Sequence, residues 1–137
     1  MSLSFFSRPS PSVLSPPAPP PRMFISTRRA EPGGSICLIV AGELDLAALS
    51  PFESALEEAQ AHSDRVLLDL GALTLIDCAG LAGLFAAARR ARRERAELIL
   101  VGPRGQVRRI LDLVGAPPGV TVLDRDDLPG HRAPVAA

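Results

Sequence analysis

Ile76-Asp77-Cys78-Ala79-Gly80-Leu81 joins a segment of strand character to an amphipathic helical one, and the reading of this junction decides the fold. On its amino side, residues 65–70 read as a buried strand. After Gly71 the chain runs through Leu73-Thr74-Leu75-Ile76 into Asp77. On its carboxyl side Leu81, Leu84, Phe85 and Ala88 fall on one helical stripe, and Arg89, Arg90, Arg92, Arg93 and Arg95 gather at the end, where cations complement the helix dipole. Asp77 stands at the N-cap position of that helix, where a carboxylate accepts a backbone N–H of the next turn and its loss costs about 1 kcal/mol.

Working outward, residues 23–28 and 35–41 read as two strands joined through Glu31-Pro32-Gly33-Gly34, close enough to be antiparallel neighbours. Ile36-Cys37-Leu38-Ile39-Val40 is apolar on consecutive residues, the pattern of a strand covered on both faces. Ser50, Pro51 and Glu53 carry the signals of a helix start, with Ser50 as the expected N-cap, and Phe52, Ala55, Leu56 and Ala59 give that helix its buried stripe. Beyond the junction follow a strand at 98–101, a helix on Val107, Ile110, Leu111 and Val114 with Gly115 as its stop, and a short strand at 120–123. The order β-β-α-β-α-β-α-β predicts an α/β domain with a mixed central sheet: parallel pairs joined by right-handed crossovers, and one antiparallel hairpin.

With 137 residues, 47% hydrophobic and 22% charged, the chain has the length and composition of one soluble domain. We expect it over residues 23–124, between an extension at 1–22 and a flexible tail at 125–137. The extension holds seven of the fourteen prolines, which remove amide donors and favour a disordered or polyproline II state. Met23 stands where the folded region begins and is a candidate native start, with Met1 as the alternative. Fifteen arginines balance fifteen acidic residues, so no net charge draws the chain to nucleic acid or to an anionic membrane. The segment 70–88 is apolar but is interrupted by Gly71, Asp77, Gly80 and Gly83, which argues against membrane insertion. Cys37 and Cys78 match no metal or disulfide spacing, and His62 and His131 stand apart from both. The expectation is therefore no metal, no cofactor, no catalytic residue and a reduced, cytoplasmic setting. Cys37 and Cys78 both read as small packed thiols.

Two segments together, Gly42-Glu43-Leu44-Asp45 and Leu68-Asp69-Leu70 followed by Ile76-Asp77-Cys78-Ala79-Gly80-Leu81, resemble the STAS domain in the form of the bacterial anti-sigma factor antagonists. Gly105-Gln106-Val107-Arg108-Arg109 is similar to the family's segment at that place and reads as part of the fold. The resemblance implies a regulatory binding protein that is not an enzyme. Its partner would be an anti-sigma factor that is also a serine kinase of the histidine-kinase ATPase fold. Docking would free a sigma factor, and phosphorylation of a hydroxyl just before the loop glycine would end the interaction. Asp45, Asp77, Cys78, Ala79 and Gly80 are the partner-binding residues so implied, and the acceptor position is Ala79, which has no hydroxyl. Two alternatives use other features: a thiol-based redox sensor built on Cys78, and a cytoplasmic accessory subunit of a membrane transporter acting in trans. The sequence leaves a homo-oligomer open.

Overall fold

The computed structural model describes residues 22–30 and 34–127; the residues at 1–21, 31–33 and 128–137 lie outside the described residues, and with them most of the proline-rich extension, most of the hairpin turn and most of the expected tail. Strands β1 (Met23–Ala30) and β2 (Ser35–Leu44) pair antiparallel, Met23 opposite Gly42 and Ala30 opposite Ser35. A 3-10 turn at Leu46–Ala48 leads into helix α1 (Leu49–His62), followed by β3 (Arg65–Ile76), α2 (Cys78–Arg93), β4 (Glu97–Val101), α3 (Gly105–Val114) and β5 (Thr121–Leu123). The strands lie in the sheet in chain order, with β2 through β5 parallel. The order and the mixed sheet are those expected from the sequence.

Three successive crossovers stepping across the sheet in one direction place their helices on one face when each is right-handed. The core follows from this. Ile36, Leu38, Val40, Val66, Leu68, Leu98 and Leu100 point from the strands into one cluster with Phe52 and Leu56 of α1, Leu84 and Ala88 of α2, and Val107 and Leu111 of α3. On the opposite face of β2 no helix among the described residues lies over the strand. Cys37 and Ile39 are therefore only half-buried, and β2 alternates where its sequence suggested cover on both faces. The run of apolar residues there reflects a partly shielded second face.

Local chemistry moves two boundaries away from the expectation. Helix α1 begins at Leu49 after a 3-10 turn, with Ala48 at its N-cap making no side-chain bond, so Ser50 does not cap it. The cap lies further back, because the Asp45 carboxylate accepts the Ala48 N–H at 3.1 Å and starts the turn that the helix continues. Strand β3 is one strand of twelve residues with two irregularities opposite β2, between the pairs Ile39–Asp69 and Ala41–Ala72 and between Gly42–Leu73 and Glu43–Leu75. The extra residue of the second irregularity is Thr74, whose hydroxyl donates to the Gly42 carbonyl at 3.0 Å and bridges the gap in the ladder.

The first three residues of the stretch expected as a flexible tail, Arg125–Asp127, form a 3-10 turn. Arg125 donates to Oδ1 of Asp69, which also accepts the Gly71 N–H at 2.9 Å. A side chain at position 71 would occupy the space of the Arg125 guanidinium, so Gly71 leaves the slot through which Arg125 reaches the carboxylate. Asp69 is only 7% exposed, and a buried carboxylate stripped of its cation is costly. We expect Arg125→Ala to destabilise the domain by about 1–3 kcal/mol in urea denaturation. Replacing Asp69 by leucine in that variant should recover part of the loss.

Candidate functional site

The carboxyl ends of the parallel strands form one pole of the domain, and the two segments singled out in the sequence meet there. Leu44 ends β2 and Ile76 ends β3, adjacent in register. Past that pair the Asp77 N–H donates to the Leu44 carbonyl at 3.1 Å, continuing the contact by one more bond. The Asp77 carboxylate then divides its work. Oδ1 accepts the Gly80 N–H at 2.8 Å, capping α2, while Oδ2 accepts the Leu46 N–H at 3.3 Å from the other segment. The expected capping role of Asp77 is thus observed, with the addition of a bond across to the loop after β2.

Close approach makes position 80 a glycine. A Cβ there would stand 2.7 Å from the Leu44 carbonyl oxygen and 2.8 Å from the Leu44 side chain, so the first turn of α2 rests directly on the end of β2. Below it a Cβ at Gly83 would lie 2.7 Å from Leu49, and the two helices meet through that gap.

A third contact comes from a residue that sequence reasoning assigned to the fold without a specific role. Strand β4 pairs with β3 along Arg65–Asp69, which leaves the far end of β3 without a strand neighbour on that side among the described residues. Gln106, in the first turn of α3, supplies one. Its Oε1 accepts the Ile76 N–H and its Nε2 donates to the Ile76 carbonyl, each at 3.0 Å, as a strand partner would. The signal available in the sequence was a single amide in the first turn of an amphipathic helix, which carries no address for a strand 30 residues away.

Of the five residues implied as partner-binding, Asp45 and Asp77 are part-exposed with carboxylates engaged in caps. Gly80 is buried, Ala79 half-buried and Cys78 exposed. The exposure of Cys78 corrects the expectation of a packed thiol: it occupies the first helical position, where the side chain clears the strand ends. His62 lies at the carboxyl end of α1 and bonds the Glu58 carbonyl through its ring, away from Cys78, and His131 lies outside the described residues. Cys37 is half-buried on the face of β2 away from the helical core, and burial, aided by the negative charge of Asp69, raises its thiol above the ordinary cysteine range.

Exposed leucines frame the pole. Leu46, after β2, is 71% exposed and Leu75, at the end of β3, 38%, and Phe24, 65% exposed, lies near the start of β1 at the same end of the sheet. The sequence did not single out these three side chains, because each sits in a segment whose apolar residues are otherwise core. No group of acidic, histidine or cysteine side chains among the described residues could hold a metal ion. No helix among them is long and apolar enough to cross a membrane.

Against known families, the model described as "Mlab, STAS domain" matches residues 27–117, which include both strand ends, the Asp77 junction and Gln106. The chain belongs to the STAS domain family. Among solved structures, this STAS domain is similar to the anti-sigma factor antagonist SpoIIAA of Bacillus in its unphosphorylated form. The two share 16% identity at a TM-score of 0.59 over 74% of this chain and 88% of the other. It is also similar to a putative anti-sigma factor antagonist from Thermotoga maritima, with 17% identity and a TM-score of 0.62 over 73% of this chain and 86% of that one. An anti-sigma factor antagonist from Mycobacterium paratuberculosis gives 24% identity and a TM-score of 0.58 over 72% and 86%. At these identities the likeness is one of fold. No curated protein matches the sequence.

Asp77→Ala should cost about 1–2 kcal/mol of stability, the upper part of the range for a cap, because it frees the Gly80 and Leu46 amides together. Gly80→Ala should cost at least as much, by driving the α2 terminus off β2, and chemical denaturation of both variants measures the difference. In the native protein at pH 8, iodoacetamide should label Cys78 well before Cys37, with peptide mapping as the readout.

Proposed function

We propose that this STAS domain is a non-catalytic regulatory module that docks on a protein partner through the Asp77 pole, in the manner of an anti-sigma factor antagonist. Its partner is an anti-sigma factor with a serine-kinase ATPase fold, and docking frees the sigma factor that the partner would otherwise hold. The observation that carries the reading is the exposure of Leu46 and Leu75, in the two segments that meet at the capped terminus of α2. Apolar side chains held in water around a rigid loop provide the anchor of an interface, and polar groups at its rim provide the register.

The residues Asp45, Asp77, Cys78, Ala79 and Gly80 then divide into two kinds. Asp45 and Asp77 hold the two loops in place through their caps, and Gly80 lets α2 sit close to Leu44. Cys78 and Ala79 present the surface itself, with Leu46 and Leu75 beside them. A phosphate added at a helix terminus brings about two negative charges and three acceptor oxygens, enough to reorder local bonds and repel an acidic partner face. Ala79 accepts none. The hydroxyl of Thr74 is engaged with the Gly42 carbonyl and its exposed residue lies in the strand before the junction. The module therefore docks without the usual switch at this loop, and its control lies with the partner or with its own abundance.

The thiol-sensor reading has less to support it, since Cys78 makes no hydrogen bond to a base or cation among the described residues.

Incubation with candidate kinase-type anti-sigma factors and ATP tests the proposal. The expected result is a complex without phosphate incorporation at residues 74–80. Leu46→Asp and Leu75→Asp should each weaken the complex by tenfold or more, about 1.4 kcal/mol, with the fold retained. Ala79→Ser should gain phosphate and lose binding. Wild-type protein that binds none of these partners, or binds equally well with both leucines replaced, would overturn the reading.

A further inference from the structure

The charges on the two central helices are sorted by sign. Helix α1 carries Glu53, Glu57 and Glu58 and no arginine, and helix α2 carries Arg89, Arg90, Arg92 and Arg93 and no acidic residue. The chain as a whole has zero net charge, so this separation is local and is not a consequence of composition. The two helices lie side by side over the sheet, and the Arg90–Glu57 contact at 3.4 Å fixes their relative level: Glu57 and Glu58 stand level with the arginine end of α2. Arg90 is also held by Gln60, at 2.6 Å. Among the described residues Arg89, Arg92, Arg93 and Arg95 make no ion pair, and neither do Glu53 and Glu58.

The remainder of this chain has little with which to neutralise the arginines. Residues 1–21 and 128–137 contain no aspartate or glutamate. A polyanion such as nucleic acid would meet the α1 glutamates next to the arginines it sought. What fits is a surface with one basic and one acidic stripe at the spacing of two packed helices, about 8–10 Å. This chain carries one.

We propose that the outer face of α1 and α2 is the contact surface of a symmetric dimer of this protein. Both helices follow parallel strands and run in the same direction. A two-fold axis lying along them, between the two, therefore sets α1 of each copy over α2 of the other with their directions preserved. Glu57 and Glu58 then face Arg89 and Arg93 of the second copy, twice over, with no shift along the helix. The alternative two-fold, across the helices, would set α1 on α1 and α2 on α2 with like charges opposed. The side chains between the charged positions are small: Ser54 and Ala61 on α1, Ala82 and Ala86 on α2. They allow the two helical layers to approach.

The arrangement also sets the two Asp77 poles at the same end of the dimer. Two docking surfaces aimed in one direction engage a two-fold partner with an affinity that neither has alone. The dimer itself stands independently of that docking reading.

Exposed ion pairs are weak and are screened over about 8 Å at physiological salt and 3 Å at 1 M, so the dimer should be salt-sensitive. Sedimentation equilibrium of the full chain should give a dimer at about 20 mM salt and a monomer at about 1 M. Arg89→Glu with Arg93→Glu should be monomeric at low salt, and so should Glu57→Arg with Glu58→Arg. Mixed, the two variants should form a 1:1 heterodimer, because each now presents two stripes of one sign to a copy of the opposite sign. All four side chains are exposed, and circular dichroism checks that both variants remain folded. A wild-type monomer at low salt and about 100 μM would overturn the proposal, as would a dimer unaffected by either reversal, or variants that fail to pair when mixed.

Discussion

One residue, Asp77, holds the pole at the carboxyl ends of the strands together. Asp77 closes the backbone ladder between β2 and β3 with its amide, caps α2 with Oδ1 and fixes the loop after β2 with Oδ2. These bonds are of ordinary strength, each worth about 1 kcal/mol net. Their importance lies in being made by one residue. Strand end, helix start and neighbouring loop cannot move separately while all are satisfied. The close packing of Gly80 on the Leu44 carbonyl adds a steric limit to the same joint, since the helix terminus has no room for even a methyl group.

That joint is needed because the sheet alone does not support its own end. Strand β3 continues past the last residue paired to β4, and it carries two irregularities against β2. An unsupported strand end exposes backbone groups that want partners, and three side chains meet the need from different directions. Thr74 spans the second irregularity, Gln106 stands in for the missing strand beside Ile76, and Asp77 ties off the end. The presentation of Leu46 and Leu75 to solvent depends on this polar frame, for apolar side chains in water are held in position only by the backbone that carries them.

The elements were legible in the sequence because each rests on a local pattern. The stripes of α1 and α2 read at helical period, Gly115 ended α3, and Asp77 announced its cap three residues before the glycine it bonds. What was not legible depends on distance in the chain. Gln106 reaches back 30 residues and Arg125 reaches back 56, and neither has a neighbour that advertises the partner. Competition between local signals produced the misplaced cap: Ser50-Pro51 is a valid helix start, but Asp45 began a 3-10 turn first and α1 grew from it. Burial of Cys78 was misjudged for a different reason. The first position of a helix points its side chain according to the angle of the whole element, which depends on how closely α2 can approach Leu44.

If Ala79 holds the acceptor position that the family resemblance implies, its missing hydroxyl acquires a physical meaning from this geometry. The α2 terminus has already satisfied its Gly80 amide with Asp77, and its packing against Leu44 leaves little freedom to rearrange around an added group. In the proposed docking role, a loop so constrained suits constant presentation better than switching, whose signal would have to disturb several bonded partners at once. Variation in such a molecule is more readily placed where the structure is least committed. Those sites are the exposed charges of α1 and α2, where Arg89, Arg92 and Arg93 stand without ion pairs among the described residues and where salt changes the balance without touching the fold. The protein thus separates a rigid end that presents one surface from helical faces whose interactions depend on their surroundings.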